Sequence, residues 1–197
     1  MLELDTLDNQ ELIDQIRHGA VGVLPTDTVY GVVCAAGNEA AANRLYGLKS
    51  RERRPGTVIA ANIEQLVELG IPARYLKPVA QYWPNPISIR VPSAKPEIYY
   101  LDYGMNVAVR IPADKDLRDF LEQTGPLLTS SANLTGKPAA NTVAEAKAYF
   151  DGEVDFYVDG GDLSSRAPST VMRVVDDAVE VLRQGAVKIN EKGEIVQ

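Results

Sequence analysis

The chain has 197 residues, 45% apolar and 24% charged, the composition of an ordinary globular protein long enough to bury a sizeable core. Twenty Lys and Arg against twenty-seven Asp and Glu leave a net charge of −7, which argues against long duplexes as the main ligand without excluding a locally basic pocket. No apolar run reaches membrane-span length, the acidic start MLELDTLDNQ lacks the order of a signal peptide, and the single cysteine, Cys34, permits no internal disulfide, so a cytoplasmic protein without membrane contact is expected.

In chain order, the spacing predicts a helix over 9–18, with Asp8 or Asn9 as N-cap and Gly19 as stop. A buried strand over 20–24 ends at Pro25, and a helix over 38–50 puts Ala41, Leu45 and Leu48 on one face. A strand over 57–61 and a helix over 62–69 capped by Asn62 follow, then a helical stretch over 73–83 broken or kinked near Pro78. ISIRV at 87–91 and NVAVRI at 106–111 alternate as strands do. A helix over 114–123 closed by Gly125, a short strand over 126–130, and a helix over 142–150 opening with a Thr142/Glu145 capping box come next. VDFYVD, STVMRVV and AVEVLR supply further strands, and the last dozen residues read as a loose tail or one added edge element. Helices and strands mix without regular alternation, which predicts one α/β domain with a large mixed sheet instead of a doubly wound parallel one.

Several chemistries are absent from the sequence. The one histidine, His18, sits at a predicted helix end, where the dipole favours it, and nothing nearby completes a Ser-His-Asp triad. There is no CxxC, HExxH or GxGxxG, and GLKS at 47–50 lacks both the upstream glycine and the Gly-Lys pair of a P-loop. Asp159-Gly160-Gly161 reads as a turn.

What remains is a set of small polar and cationic residues at the ends of elements. PTDTVYG at 25–31 crowds Thr26, Asp27, Thr28 and Tyr30 into a turn after a buried strand, a place suited equally to ligand contact and to turn chemistry alone. Lys49, Arg51, Arg53 and Arg54 lie within LKSRERRP at a helix end. A solvated, dipole-complementing terminus accounts for one or two cations; more of them repel one another and suit an anion such as a triphosphate. Arg110, in a strand of apolar neighbours, points either to solvent or at a carboxylate. Ser130, Ser131 and Asn133 of SSAN follow a strand, as ligand contacts or as a cap or Asx-turn.

Taken in order, PTDTVYG, LKSR, WPNPISI, NVAVRIP, SSANLTGKP, DGG, PSTV and LRQG resemble the YrdC/Sua5 family of threonylcarbamoyl-AMP synthases, from about Ala20 to Gly185. The resemblance implies a single twisted mixed-sheet domain of the YrdC-like type with a large concave cavity, a core over about 20–185 and a tail over 187–197. It implies condensation of L-threonine with bicarbonate to a carbamate, whose carboxylate attacks the α-phosphate of ATP and releases diphosphate, a reaction of positioning and charge neutralisation. Carried over by position, Lys49 and Arg51 would neutralise the ATP phosphates and act in catalysis. Thr28, Arg110, Ser131 and Ser169 would bind threonine, with Arg110 on its carboxylate. Arg54, Asn106, Asn133, Asn141 and Arg183 would complete the nucleotide side. ATP is implied as substrate with magnesium accompanying it and no tightly held protein-ligated metal. The product would pass to a t6A transferase complex, with direct contact to tRNA left open, and the short single-domain form of the family is expected.

The sequence departs from the family pattern at the nucleotide end. Glu52 follows Arg51 where proline is usual, the stretch after it is one residue short, and Arg54 stands in for the usual second cation. Ile59 or Ala60 occupies the region where some members have a histidine, and SSAN, AANT and RQG replace PSAN, SPT and RPG. The other readings are an RNA-binding module, disfavoured by charge and by the lack of aromatic–basic interleaving, a carbamoyl-transfer domain, and a paralogue that has lost activity.

Overall fold

The computed structural model describes residues 1–49, 56–93, 96–102, 104–175 and 178–196. Five helices open with a side-chain cap. Asn9, Asn38, Asn62, Asp114 and Thr142 each accept a hydrogen bond from a first-turn backbone N–H, at the starts of α1 (Gln10–Arg17), α2 (Glu39–Leu48), α3 (Ile63–Leu69), α5 (Lys115–Thr124) and α6 (Val143–Phe150). The Thr142 box forms with one change of partner: the Glu145 carboxylate reaches the Asn141 N–H at 2.8 Å, one residue before the cap. His18 closes α1, with Nδ1 2.6 Å from the Asp14 carbonyl. The stretch over 73–83 is broken where Pro78 has no N–H to give: α4 (Ala73–Leu76) passes into a 3₁₀ segment, Lys77–Tyr82.

The strands are β1 (Leu2–Leu4), β2 (Gly22–Pro25), β3 (Tyr30–Ala35), β4 (Thr57–Ile59), β5 (Ile87–Pro92), β6 (Asn106–Arg110), β7 (Leu127–Ser131), β8 (Phe156–Val158), β9 (Thr170–Val175) and β10 (Ala178–Arg183). They form a ten-stranded sheet in the order β1-β8-β2-β3-β7-β4-β6-β5-β9-β10. Pairing is parallel at β1/β8, β2/β8, β4/β6 and β5/β9 and antiparallel at the other junctions, the mixed sheet expected. Two strands escaped the sequence reading. β1 is too short to alternate, and β3 is buried along nearly its whole length, so its apolar run carries no period of two. The tail is neither loose nor an added edge: β11 (Lys188–Ile189) and β12 (Ile195–Val196) pair as a separate antiparallel hairpin. The hairpin is held on the body by buried Ile189 and by the Tyr82 hydroxyl, which donates to the Gly193 carbonyl at 2.8 Å.

The sheet divides the core. Val23, Val32, Val58, Val109, Ile89 and Met172 point to one face, which α2 and α6 cover with Leu45 and Ala146. Leu24, Val33, Ile59, Leu127 and Phe156 point to the other, where α1 and α5 cover them with Leu12, Ile16, Phe120 and Leu121. The second cluster stops there. Thr129, Ala108, Ser88 and Val171 have the parity of this second face but lie beyond the two helices, so the sheet is left open at that end.

Candidate active site

That open face is the floor of a cavity of about 500 Å³. Gly31, Thr57, Ala108, Arg110, Thr129, Arg90 and Val171 line the sheet side, and the loops after β2, β7 and before β9 form the rim. Glycine is needed on the floor: a Cβ on Gly56 would lie 2.2 Å from the Thr129 carbonyl oxygen, where β4 meets β7. The lining cations are Arg90, Arg110, Lys137 and Arg183, and no carboxylate lines the cavity among the described residues. A protein of charge −7 thus carries a local positive field on one face.

PTDTVYG forms one rim. Thr26 Oγ1 donates to the Val29 carbonyl at 2.7 Å and lies 3.0 Å from Thr28 Oγ1, which fixes both buried hydroxyls at the cavity. Asp27 turns inward from the same loop. Its Oδ1 is 3.0 Å from Nη2 of Arg110, and its Oδ2 accepts the Ala113 N–H at 3.1 Å. Burial pulls the Arg110 guanidinium below its ordinary pKa, the Asp27 charge opposes this, and nearby Arg183 adds to the lowering.

Tyr30 ties this rim to DGG. Its hydroxyl accepts the Gly160 N–H at 2.8 Å and donates to the Gly161 carbonyl at 2.8 Å, while Asp159 Oδ1 folds back on the Gly161 N–H as the expected turn. Gly160 lies so close to Pro25 that a Cβ there would be 2.6 Å from the proline Cβ. Burial pushes the Tyr30 phenol up to about 12. A raised phenol pKa contributes stability that is complete below the unfolded value near 10 and is lost as pH rises through the folded one. Tyr30→Phe is therefore expected to lower stability at pH 8 by about 1–3 kcal/mol. It should also make the fall in stability between about pH 10 and pH 12 shallower, as read by denaturant melts across that range. Cys34 is buried, and burial pushes its thiol up to about 12, so it is no nucleophile.

The opposite wall joins β5, β9 and β10. Buried Ser88 Oγ lies 3.0 Å from Ser169 Oγ and 3.4 Å from Nη1 of Arg110. Arg183 Nη2 donates to the Ser169 carbonyl at 2.8 Å. Gly185 permits this contact, since a Cβ there would stand 2.3 Å from the Pro168 carbonyl oxygen.

Lys49 follows the last turn of α2 and is wholly buried. Its ammonium donates to the Ser131 carbonyl and to Asn133 Oδ1, the latter at 3.2 Å. Ser131 Oγ donates to the same Asn133 oxygen at 2.6 Å, and Asn133 Nδ2 donates to the Lys137 carbonyl at 2.7 Å. SSAN is thus a turn closed on a buried cation, with Ser131 and Asn133 facing the cavity.

Of the residues singled out by sequence, Thr28, Arg110, Ser131, Asn133, Ser169 and Arg183 line this cavity, and Lys49 stands directly behind SSAN. Asn106 begins β6, about 13 Å along the strand from Arg110. Its N–H donates to Asp102 Oδ1, and it does not line the cavity. Asn141 precedes α6, where its carbonyl accepts the Leu163 N–H, and it too is outside the lining. Arg51 and Arg54 lie outside the described residues. Sequence reasoning passed over Ser88 and Arg90, although their alternation with Ile87, Ile89 and Val91 places them on the face opposite the apolar one. Among the described residues no group of three or more His, Cys, Asp or Glu is arranged to hold a metal ion, and no helix is long and apolar enough to cross a membrane.

A mixed-sheet α/β domain with a cation-lined cavity on its open face defines a candidate anion-binding site. The chain belongs to the Sua5/YciO/YrdC family, described as "Telomere recombination", which matches residues 14–185. It is similar to the threonylcarbamoyl-AMP synthase of Pseudomonas fluorescens, with 35% identity over 169 residues, 83% of this chain and 90% of the relative. P. abyssi Sua5 complexed with L-threonine superposes with a TM-score of 0.81 at 27% identity over 95% of this chain, which spans only 58% of that longer protein. E. coli YciO shares the fold with a TM-score of 0.78 at 22% identity, each chain covered to 97%.

Proposed function

We propose that the chain is an L-threonylcarbamoyladenylate synthase, which forms threonylcarbamoyl-AMP, diphosphate and water from L-threonine, bicarbonate and ATP. One observation carries this reading: the cavity gathers Arg90, Arg110, Lys137 and Arg183 with hydroxyl and amide donors, and its lining has no cysteine or histidine to act as a nucleophile. Such a site binds and aligns anions, which is what the reaction requires. The similarity to synthases over most of the chain supports the same conclusion.

In this reading the threonine carboxylate pairs with Arg110, beside Thr28, Ser131 and Ser169. The amine attacks bicarbonate and loses water, giving a carbamate. A carbamate oxygen then forms a bond to the α-phosphorus of ATP as the bond to the β,γ-diphosphate breaks. Lys49 and Arg51 offset the charge that develops on the phosphates, with Asn133 and Arg183 on the nucleotide side. Arg54 joins that side, and Asn106 and Asn141 complete it only if nucleotide binding draws their segments toward the cavity. Magnesium enters as the ATP complex. The activated product is consumed in the cytoplasm by a tRNA t6A transferase complex.

The test is diphosphate release by purified protein with each small substrate omitted in turn, with the adenylate sought by mass spectrometry in the same tubes. Release that needs both threonine and bicarbonate is expected. No release from folded protein that still binds ATP would indicate a different acceptor or a chain without activity. If ATP does not bind, the enzyme reading fails.

A further inference from the structure

The Asp27–Arg110 pair is built with an asymmetry. Both side chains are almost wholly buried, at 2% and 4% exposure, yet only Arg110 lines the cavity. The carboxylate Oδ1 stands 3.0 Å from Nη2 as a charge contact without hydrogen-bond geometry, Nη1 has only a long contact to Ser88 at 3.4 Å, and Nε is buried with no hydrogen-bond partner. A guanidinium is a flat fork of donors, so a buried charge drawing Nη2 to one side sets the direction of the others. Asp27 is itself held, because its second oxygen accepts the N–H of Ala113 just beyond the end of β6.

We infer that Asp27 is a positioning residue, whose buried negative charge aims the Arg110 guanidinium at an anionic ligand group in the cavity. The arrangement offsets a specific repulsion. Arg110 and Arg183 share one cavity, and Ser88 and Ser169 bridge them with uncharged hydroxyls. Asp27 is the carboxylate paired with Arg110. Without it the like charges drive Arg110 off its line, and the orphaned Nε edge no longer faces where it did.

A merely structural role, stapling the turn after β2 to the end of β6, needs only an acceptor for the Ala113 N–H. Asp27→Asn keeps that acceptor and removes the charge, so it separates the two roles. The identity of the ligand as threonine rests on the function proposed above; the aim of Arg110 does not. Two measurements on the full chain decide the matter. In the first, ¹⁵N side-chain spectra of the unliganded protein follow the Arg110 Nη and Nε signals. Restricted, slowly exchanging signals are expected in the wild type and averaged, fast-exchanging ones in Asp27→Asn; identical signals in both would overturn the inference. In the second, calorimetry measures L-threonine, L-threoninol and ATP. Asp27→Asn is expected to weaken threonine about tenfold, with threoninol, which lacks the carboxylate, and ATP within about twofold of wild type. Tighter threonine binding, or weakening of less than about threefold, would mean that Asp27 only competes for Arg110 or only staples the turn. If the wild-type protein binds no threonine, the proposed function fails while the spectra still decide the role of Asp27.

Discussion

Arg110→Ala is expected to remove threonine-dependent diphosphate release while leaving ATP binding in place. The side chain lies on the cavity floor, its charge is 3.0 Å from the buried Asp27 carboxylate, and its Nε is buried without an acceptor. A ligand carboxylate that completes such a fork makes charge-assisted hydrogen bonds in a water-poor site, so its loss should lower kcat/KM for threonine by about 10²–10³-fold. The variant should also lose stability by about 3–5 kcal/mol, because Asp27 would be left buried and unpaired. The two effects separate in the double variant Asp27→Asn/Arg110→Met, which removes both charges. Its melting temperature should recover toward wild type, and its activity should not. A single variant that retained threonine turnover within about tenfold of wild type would place the carboxylate elsewhere in the cavity.

The candidate site was legible in sequence to the extent that it lies at the ends of elements. PTDTVYG, SSAN and PSTV each follow or precede a strand, and all three converge on one cavity because β3 and β7 are neighbours and β9 pairs with β5, beside the strand carrying Arg110. Partnerships were not legible. Asp27 was left between ligand contact and turn chemistry because nothing local tells that its carboxylate is turned into the sheet toward a strand far along the chain. Arg110 was left between solvent and carboxylate for the same reason: β6 is internal to the sheet, which a strand's own alternation does not reveal. Lys49 was grouped with its cationic neighbours by mutual repulsion. Its burial depends on SSAN, which approaches through β7. Asn106 and Asn141 are the reverse case, since the resemblance pointed to them as nucleotide contacts and they are occupied here with the start of β6 and the cap region of α6.

Lys49→Met should separate activity from stability, whereas Arg110→Ala lowers both. The Lys49 side chain is wholly buried, and its ammonium is held by the Ser131 carbonyl and Asn133 Oδ1. Methionine matches its length and apolar stem. The Asn133 oxygen keeps the Ser131 hydroxyl as donor, and the Lys49 backbone carbonyl keeps the Thr135 hydroxyl. Loss of the ammonium's hydrogen bonds costs about 1–3 kcal/mol, offset by no longer burying a charge, so the melting temperature should stay within about 6 °C of wild type. Activity should not survive as well. A cation buried directly behind Asn133 acts through low dielectric on any phosphate at the cavity face of SSAN and needs no reorganisation as charge develops there. Diphosphate release should fall about 10²-fold or more, with threonine binding by calorimetry within about twofold of wild type. Lys49→Arg should not rescue it, because a planar fork does not fit a site closed around a single point charge. Full turnover in the methionine variant would make Lys49 a prop for the SSAN turn, and the charge that neutralises the phosphates would then have to come from Arg90, Lys137 or Arg183 in the cavity lining or from the Arg51–Arg54 segment.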